Sequence, residues 1–278
     1  MLETTQRNHF RGEIMKPFET QGEQWGRHAE VWATELEVQM LPLFAGALEA
    51  VGPLVGKRLL DAGCGTGLAA SLALAAGASV AGIDASTAFA KYAGERLPDA
   101  EFRVGDVEQL PYEDGAFSVV TAFNSIQYAS DPAHAIEEFA RVCEPGGSVA
   151  IGVWGDPSRC ETDALFARLR SIAPPPPGAP APLRISELGF VEALLEAAQL
   201  TISGGGEASC PFIFNDHDHA WEAHSSAGPL QKVIDAVGTE KVRDTLASVL
   251  EADRKPDGQL RQDNVFRYVI ATKPVAAA

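Results

Sequence analysis

Three short apolar segments of this chain each close on an aspartate: KRLLD at 57–61, SVAGID at 79–84 and EFRVGD at 101–106. Directly after the first comes a glycine loop, DAGCGTG at 61–67. Glycines there let the backbone approach a ligand closely at the start of a helix, where free N–H groups point outward. The spacing is G-x-G-x-G rather than the dinucleotide fingerprint G-x-G-x-x-G, because Leu68 stands where a frame beginning at Gly63 requires a small residue. Asp61 is also ill placed beside a pyrophosphate. A carboxylate suits a cationic or hydroxyl-bearing ligand, since it can only accept hydrogen bonds. For Asp84 and Asp106 a plainer role is open, that of N-cap to a following helix. Capping does not account for three acids at one edge.

Other reactive side chains carry less. Cys64 sits between loop glycines with no partnered base in view, and packing is the simpler reading. His217, His219 and His224, interleaved with Asp216 and Asp218, have the spacing H-x-H-x-x-x-x-H, which fits no metal framework, so no metal is expected. They are the lid side chains able to act as a base near neutral pH. Replacing all three by Gln is nevertheless expected to leave activity intact, with proximity carrying the reaction. His134, in the first turn of its helix, is expected to face solvent. Trp25 and Trp32 lie seven residues apart, on one face of a helix that either closes over a site or forms an ordinary core stripe.

The elements that position these residues follow from periodicity. Apolar strands alternate with helical patterns at 68–77, 86–97 and 131–143, and further strands are expected at 117–124 and 148–154. Ser86 is expected to cap the second helix. Strands apolar throughout argue for a parallel sheet covered on both faces, with its ligand crevice at the carboxyl ends, where Asp61, Asp84 and Asp106 fall. Beyond Trp154 the pattern changes. A helix at 161–172 leads into the proline-rich stretch 173–182, read as a stiff spacer, and a Ser-capped helix follows at 186–200. Residues 211–216 and 264–273 are strand candidates, with a mostly helical stretch between them.

Lys and Arg number 22 against 38 Asp and Glu, a net charge of −16, which argues against a nucleic-acid substrate or a polybasic membrane contact. No apolar run is long enough to span a bilayer, and the polar N-terminus has no signal-peptide core. Four scattered cysteines suggest no disulfide framework, so a cytoplasmic location is expected.

LLDAGCGTG at 59–67 resembles the first motif of the class I S-adenosylmethionine-dependent methyltransferases. GID at 82–84, GDVEQLPYEDGAFSVVTAFNSIQY at 105–128 and RVCEPGG at 141–147 resemble the later motifs, most closely in the ubiquinone/menaquinone-biosynthesis-like, small-molecule subgroup. The resemblance implies an α/β fold: a doubly wound, seven-stranded Rossmann-like sheet with a helical lid before its last strand. The expected division is N-terminal helices at 1–56 closing over the site, a cofactor-binding core at 57–204 and 263–278, and a lid at 205–262. It implies methyl transfer from S-adenosyl-L-methionine to an O, N or C atom of a small-molecule acceptor, leaving S-adenosyl-L-homocysteine. Gly63, Gly65 and Gly67 would pass the methionine and ribose parts, and Asp61 would support that loop and the ammonium. Asp84 would take the ribose hydroxyls, with Ala85 under the adenine. Asp106 and Val107 would read the adenine edge. Phe123 and Asn124 mark the strand end whose carbonyl meets the ammonium, and Trp32 would close over the cofactor. Trp25, Gln127, Tyr128 and Trp154 are candidates for the acceptor pocket. No catalytic residue is assigned. The rivals are a cofactor-binding protein of the same fold that transfers no methyl (a cyclase or binding module), and an NAD-dependent oxidoreductase.

Overall fold

The computed structural model describes residues 16–175 and 185–275; the first fifteen residues and most of the proline-rich stretch lie outside the described residues. Strands β1 (Arg58–Ala62), β2 (Ser79–Asp84), β3 (Glu101–Val104), β4 (Phe117–Phe123) and β5 (Cys143–Trp154) pair in parallel. With β6 (Thr201–Ser209) and β9 (Val265–Thr272) they form a seven-stranded sheet of order β3-β2-β1-β4-β5-β9-β6, in which β9 is antiparallel to both neighbours. Successive strand residues face opposite ways. Leu59 and Val119 therefore join a core with Leu48 of α3 (Leu41–Val51) and Ala70 of α4 (Leu68–Ala75). Leu60 and Val120 join the other, with Ile136 and Phe139 of α6 (Pro132–Val142) and Leu195 of α8 (Phe190–Ala197).

A third core joins the ends of the sheet to what covers them. It unites Leu36, Met40 and Phe44 with Phe123, and with Phe212, Phe214, Leu246 and Leu250 of the insertion. The insertion holds β7 (Phe212–Phe214), α9 (His217–Ser225), α10 (Gly228–Val237), α11 (Thr239–Ala252) and β8 (Leu260–Gln262). Strands β7 and β8 pair with each other as a separate ribbon.

Several expectations need correction. A lid boundary at 205 falls inside β6, which runs to Ser209 and in which the ring of Tyr268 from β9 occupies the space above Gly206. The strand candidate at 211–216 forms, but outside the main sheet. The helix expected from 186 begins at Phe190, with Gly189 at its N-cap and Glu192 accepting from the Gly189 N–H. The Trp25–Trp32 helix is broken after α1 (Pro17–Gly26); α2 (Ala29–Val31) follows, then a π turn (Trp32–Leu36) and a 3-10 turn (Glu37–Met40). No helix among the described residues is long and apolar enough to cross a membrane.

Candidate functional site

The glycine loop turns sharply because Gly63 takes φ +78°, and a Cβ there would lie 2.2 Å from that of Ser125. The Gly63 and Cys64 N–H groups both donate to the Ile83 carbonyl, which ties the loop to β2. The Asp84 carboxylate faces this loop: Oδ2 accepts from the Gly65 N–H at 2.9 Å and Oδ1 from the Ser86 N–H at 2.8 Å. Asp84 is therefore not a helix cap; that place belongs to Ser86, whose hydroxyl accepts from Phe89 N–H at the start of α5 (Thr87–Arg96). Asp106 holds a turn, accepting from the Glu108 N–H, and no helix follows it to be capped.

Above these groups lies a cavity enclosing about 990 Å³ of empty space, part of it open to solvent. It is lined by Asp61, Gly63, Gly65, Asp84, Ala85, Asp106, Val107, Phe123 and Asn124, and closed by Trp25, Trp32 and Tyr128. Of the cofactor and acceptor residues singled out in the sequence, Gly67, Gln127 and Trp154 do not line it: Gly67 caps α4 and lies against Ala93. Helix α1 roofs the cavity with Phe18, Gln21 and Trp25, and Gly22 allows this, since a Cβ there would strike the Ala85 carbonyl at 2.1 Å. The Trp25 and Trp32 rings meet edge to face, centroids 4.9 Å apart, and Trp25 meets Tyr128 at 5.3 Å.

Sequence reasoning missed Glu37. Its carboxylate is buried in the cavity wall, accepting from the Thr66 N–H and hydroxyl and from Arg96 Nη1 at 3.0 Å. This links the N-terminal segment to the loop and to α5. Only tertiary structure brings these three together; residues 37–40 carry no local motif. Met40, Phe89 and Ser125 also line the cavity.

The electrostatics are one-sided. Glu37, Asp61, Asp84, Asp106 and Glu108 line the cavity, and no Lys, Arg or His among the described residues does. Burial raises the Asp61 carboxyl to about 7 against the help of the Thr121 hydroxyl, 2.8 Å away. Burial likewise raises Asp84 to about 6, and raises Glu37 despite Thr66 and Arg96. Burial lifts the Cys64 thiol well above its ordinary value, so it packs as a neutral group and is no nucleophile. Buried carboxylates beyond the reach of a cation seek a cationic or proton-donating occupant.

A second cavity, of about 470 Å³ empty space, shares Trp25, Trp32, Met40, Asn124 and Tyr128 with the first and continues under the insertion past Trp154, Phe166 and Phe212. Two buried polar atoms in the shared wall, Trp32 Nε1 and Asn124 Oδ1, have no protein partner. Asn124 takes φ +50°, a left-handed conformation that Asn tolerates better than most side chains. The three histidines of the insertion part company: His217 meets Glu251 at 3.2 Å and His219 meets Glu35 at 2.8 Å, whereas His224 is buried and lines the second cavity. His134 is exposed beside Glu137.

Residues 60–151 match the family model described as "Methyltransferase domain". That match takes in the glycine loop, strands β2 to β4 and most of β1 and β5. The chain is 33% identical over 131 residues to a demethylmenaquinone methyltransferase of Renibacterium salmoninarum, covering 45% of this chain and 55% of that protein. To a ubiquinone biosynthesis O-methyltransferase of Paracidovorax citrulli it is 37% identical over 128 residues, 42% and 54% of the two chains. The matched stretch thus spans about half the length of these relatives. A likeness of fold extends over most of the chain: the crystal structure of the [4+2]-cyclase SpnF superposes with a TM-score of 0.55 over 84% of this chain and 80% of that one, at 23% identity. At that identity the likeness concerns the fold alone.

Proposed function

We propose that this protein transfers the methyl group of S-adenosyl-L-methionine to a small organic acceptor. The observation that carries this is the first cavity, a glycine-loop site walled by buried carboxylates with no lining cation among the described residues. That donor set fits a ligand bearing an ammonium, a sulfonium and hydroxyls, and it opposes a pyrophosphate, which disfavours the oxidoreductase reading. The Asp84 oxygens each spend one acceptor position on the backbone and keep another for the ribose hydroxyls. Asp106 and Val107 lie at the adenine end, with Ala85 beneath the ring. Asp61, Gly63 and the Phe123–Asn124 strand end serve the methionine end, and Trp32 covers it. When bound, the cofactor supplies an electrophilic methyl on a sulfonium. The protein's own part is to orient the two reactants and exclude water.

The relatives' names support transfer over a non-transferring role. A small-molecule acceptor is supported by a second cavity that shares five wall residues with the first and is lined in part by the insertion. Four free, buried cysteines and the acidic surface support a cytoplasmic protein without nucleic-acid or membrane partners. Mass spectrometry of the purified protein is expected to find S-adenosylmethionine or its demethylated product, and calorimetry to find S-adenosylhomocysteine binding with no competition by NAD. Tight NAD binding without S-adenosylhomocysteine binding overturns the reading. An acceptor screen with labelled methyl donor then tests transfer itself.

A further inference from the structure

We propose that His224 is the proton acceptor of the second cavity, its Nδ1 lone pair taking the proton of an acceptor hydroxyl, so that the methylated atom is oxygen. The inference rests on the methyl-transfer reading above and narrows it to one atom and one side chain.

The geometry fixes the tautomer. The Asp253 carboxylate accepts from Gln262 Nε2 at 3.1 Å, which turns Gln262 Oε1 the other way. There Oε1 meets the Thr162 hydroxyl at 3.2 Å and His224 Nε2 at 3.0 Å. An amide oxygen only accepts, so Nε2 carries the hydrogen and Nδ1 keeps a bare lone pair. Nδ1 has no hydrogen-bond partner among the described residues, and His224 lines the cavity. Gln262 and Asp253 act through the ring and are positioning residues. Phe212 and Phe214 hold the ring edges, with centroids 6.2 and 5.1 Å away. Burial pushes the imidazole down to about 4, so it is neutral and ready to accept at neutral pH.

The rest of the lining is mostly apolar, with Asn124, Tyr128 and Thr162 as its polar members. Trp154 and Phe166 stand edge to face at 5.7 Å, and Leu230 closes the wall beside His224. A mostly aromatic chamber whose unpartnered imidazole nitrogen is that of His224 fits a flat, largely apolar molecule presenting a hydroxyl. In the transfer, an oxygen lone pair forms the O–CH3 bond and the S–CH3 pair stays on sulfur. The O–H bond breaks with its pair left on oxygen, and the proton passes to Nδ1. Such a weak base suffices because the hydroxyl becomes strongly acidic as its oxygen gains carbon. One positive charge leaves the sulfonium as one appears on the imidazole, and the proton departs to solvent when the product leaves.

The test uses the full chain, with 2-naphthol and naphthalene as probes and tryptophan fluorescence as readout. Wild type is expected to hold 2-naphthol about 3–10-fold more tightly than naphthalene, the worth of one neutral hydrogen bond. His224→Phe is expected to bind the two equally, and Leu230→Trp, which fills the chamber, to bind neither while still binding S-adenosylhomocysteine. A preference for the naphthol that survives His224→Phe, or probe binding unchanged in Leu230→Trp, overturns the proposal. Nitrogen NMR of the wild-type imidazole needs no variant: a protonated Nε2 and bare Nδ1 are expected, and the opposite tautomer overturns it. S-adenosylhomocysteine titrated into wild type separates the two readings. Its failure to bind removes the methyl-transfer reading, whereas its binding alongside negative His224 results removes this inference alone.

Discussion

The two cavities share five wall residues and differ in almost everything else. The first is floored by strand ends and a glycine loop, its charged groups are carboxylates, and Asp61 and Asp84 among them are held by backbone N–H groups or short contacts within the sheet. The second is walled by aromatic rings from the N-terminal segment, the end of β5 and the insertion, and its buried imidazole is held at the end of a side-chain chain through Gln262. A floor built on backbone geometry suits a fixed ligand. Walls built from side chains can be re-cut for different acceptors without touching the sheet, as loops on rigid scaffolds commonly are.

Breaking the first cavity should have the largest effect. Asp84→Ala is expected to weaken S-adenosylhomocysteine binding by about 3 kcal/mol or more, over ~100-fold, since charge-assisted contacts contribute about 1.5–3 kcal/mol each. Calorimetry measures it, and an unchanged dissociation constant removes Asp84 from the site. Glu37→Gln should come next. It leaves Arg96, 22% exposed, without its carboxylate, and is expected to lower stability by roughly 2 kcal/mol, less than a fully buried pair because water still reaches the guanidinium. Urea denaturation of the apo protein reads this directly. Asp106→Asn is expected to be milder than Asp84→Ala, about tenfold or less in affinity, because the amide still accepts one hydrogen bond. A reversed order would mean that ribose and adenine lie the other way along the crevice.

Acidity sharpens the same contrast. Asp61 and Asp84, raised to about 7 and about 6, hold extra protons in the folded apo protein above their unfolded values. Their contribution to stability is therefore greatest at low pH and is lost as pH rises through 6 and 7. A cationic ligand favours their ionised forms, so binding near pH 6.5 should release protons, and binding at pH 8.5 should release almost none. Titration calorimetry in two buffers of different ionisation enthalpy checks this. The smallest effect is expected on the surface of the insertion: His217→Gln together with His219→Gln should alter S-adenosylhomocysteine and 2-naphthol affinity less than about twofold. Both rings pair with surface acids away from the cavities, and exposed pairs contribute little.

The same division decides what could be read without a structure. Asp61, Asp84 and Asp106 were legible because strand, loop and acid are adjacent in sequence, and local order dictates where they emerge. The N-cap of α5 at Ser86 was legible for the same reason. Glu37 was not, since its partners Thr66 and Arg96 are 29 and 59 residues away. Strand β6 hid behind its glycines, which pack under Tyr268 rather than forming a turn. Three lid histidines looked alike because nothing within seven residues tells a buried ring from an exposed one; Gln262, 38 residues from His224, makes the difference.

Trp25, Trp32, Met40, Asn124 and Tyr128 belong to both cavities at once. An occupant of either that settles these side chains changes what the other occupant meets. The two affinities are then thermodynamically coupled, and the coupling must be reciprocal: whatever factor the nucleoside lends the acceptor, the acceptor returns to the nucleoside. Indole rings waiting at such a partition give the protein a means of ordering two ligands with no moving domain, each registering the other as an occupant rather than a vacancy.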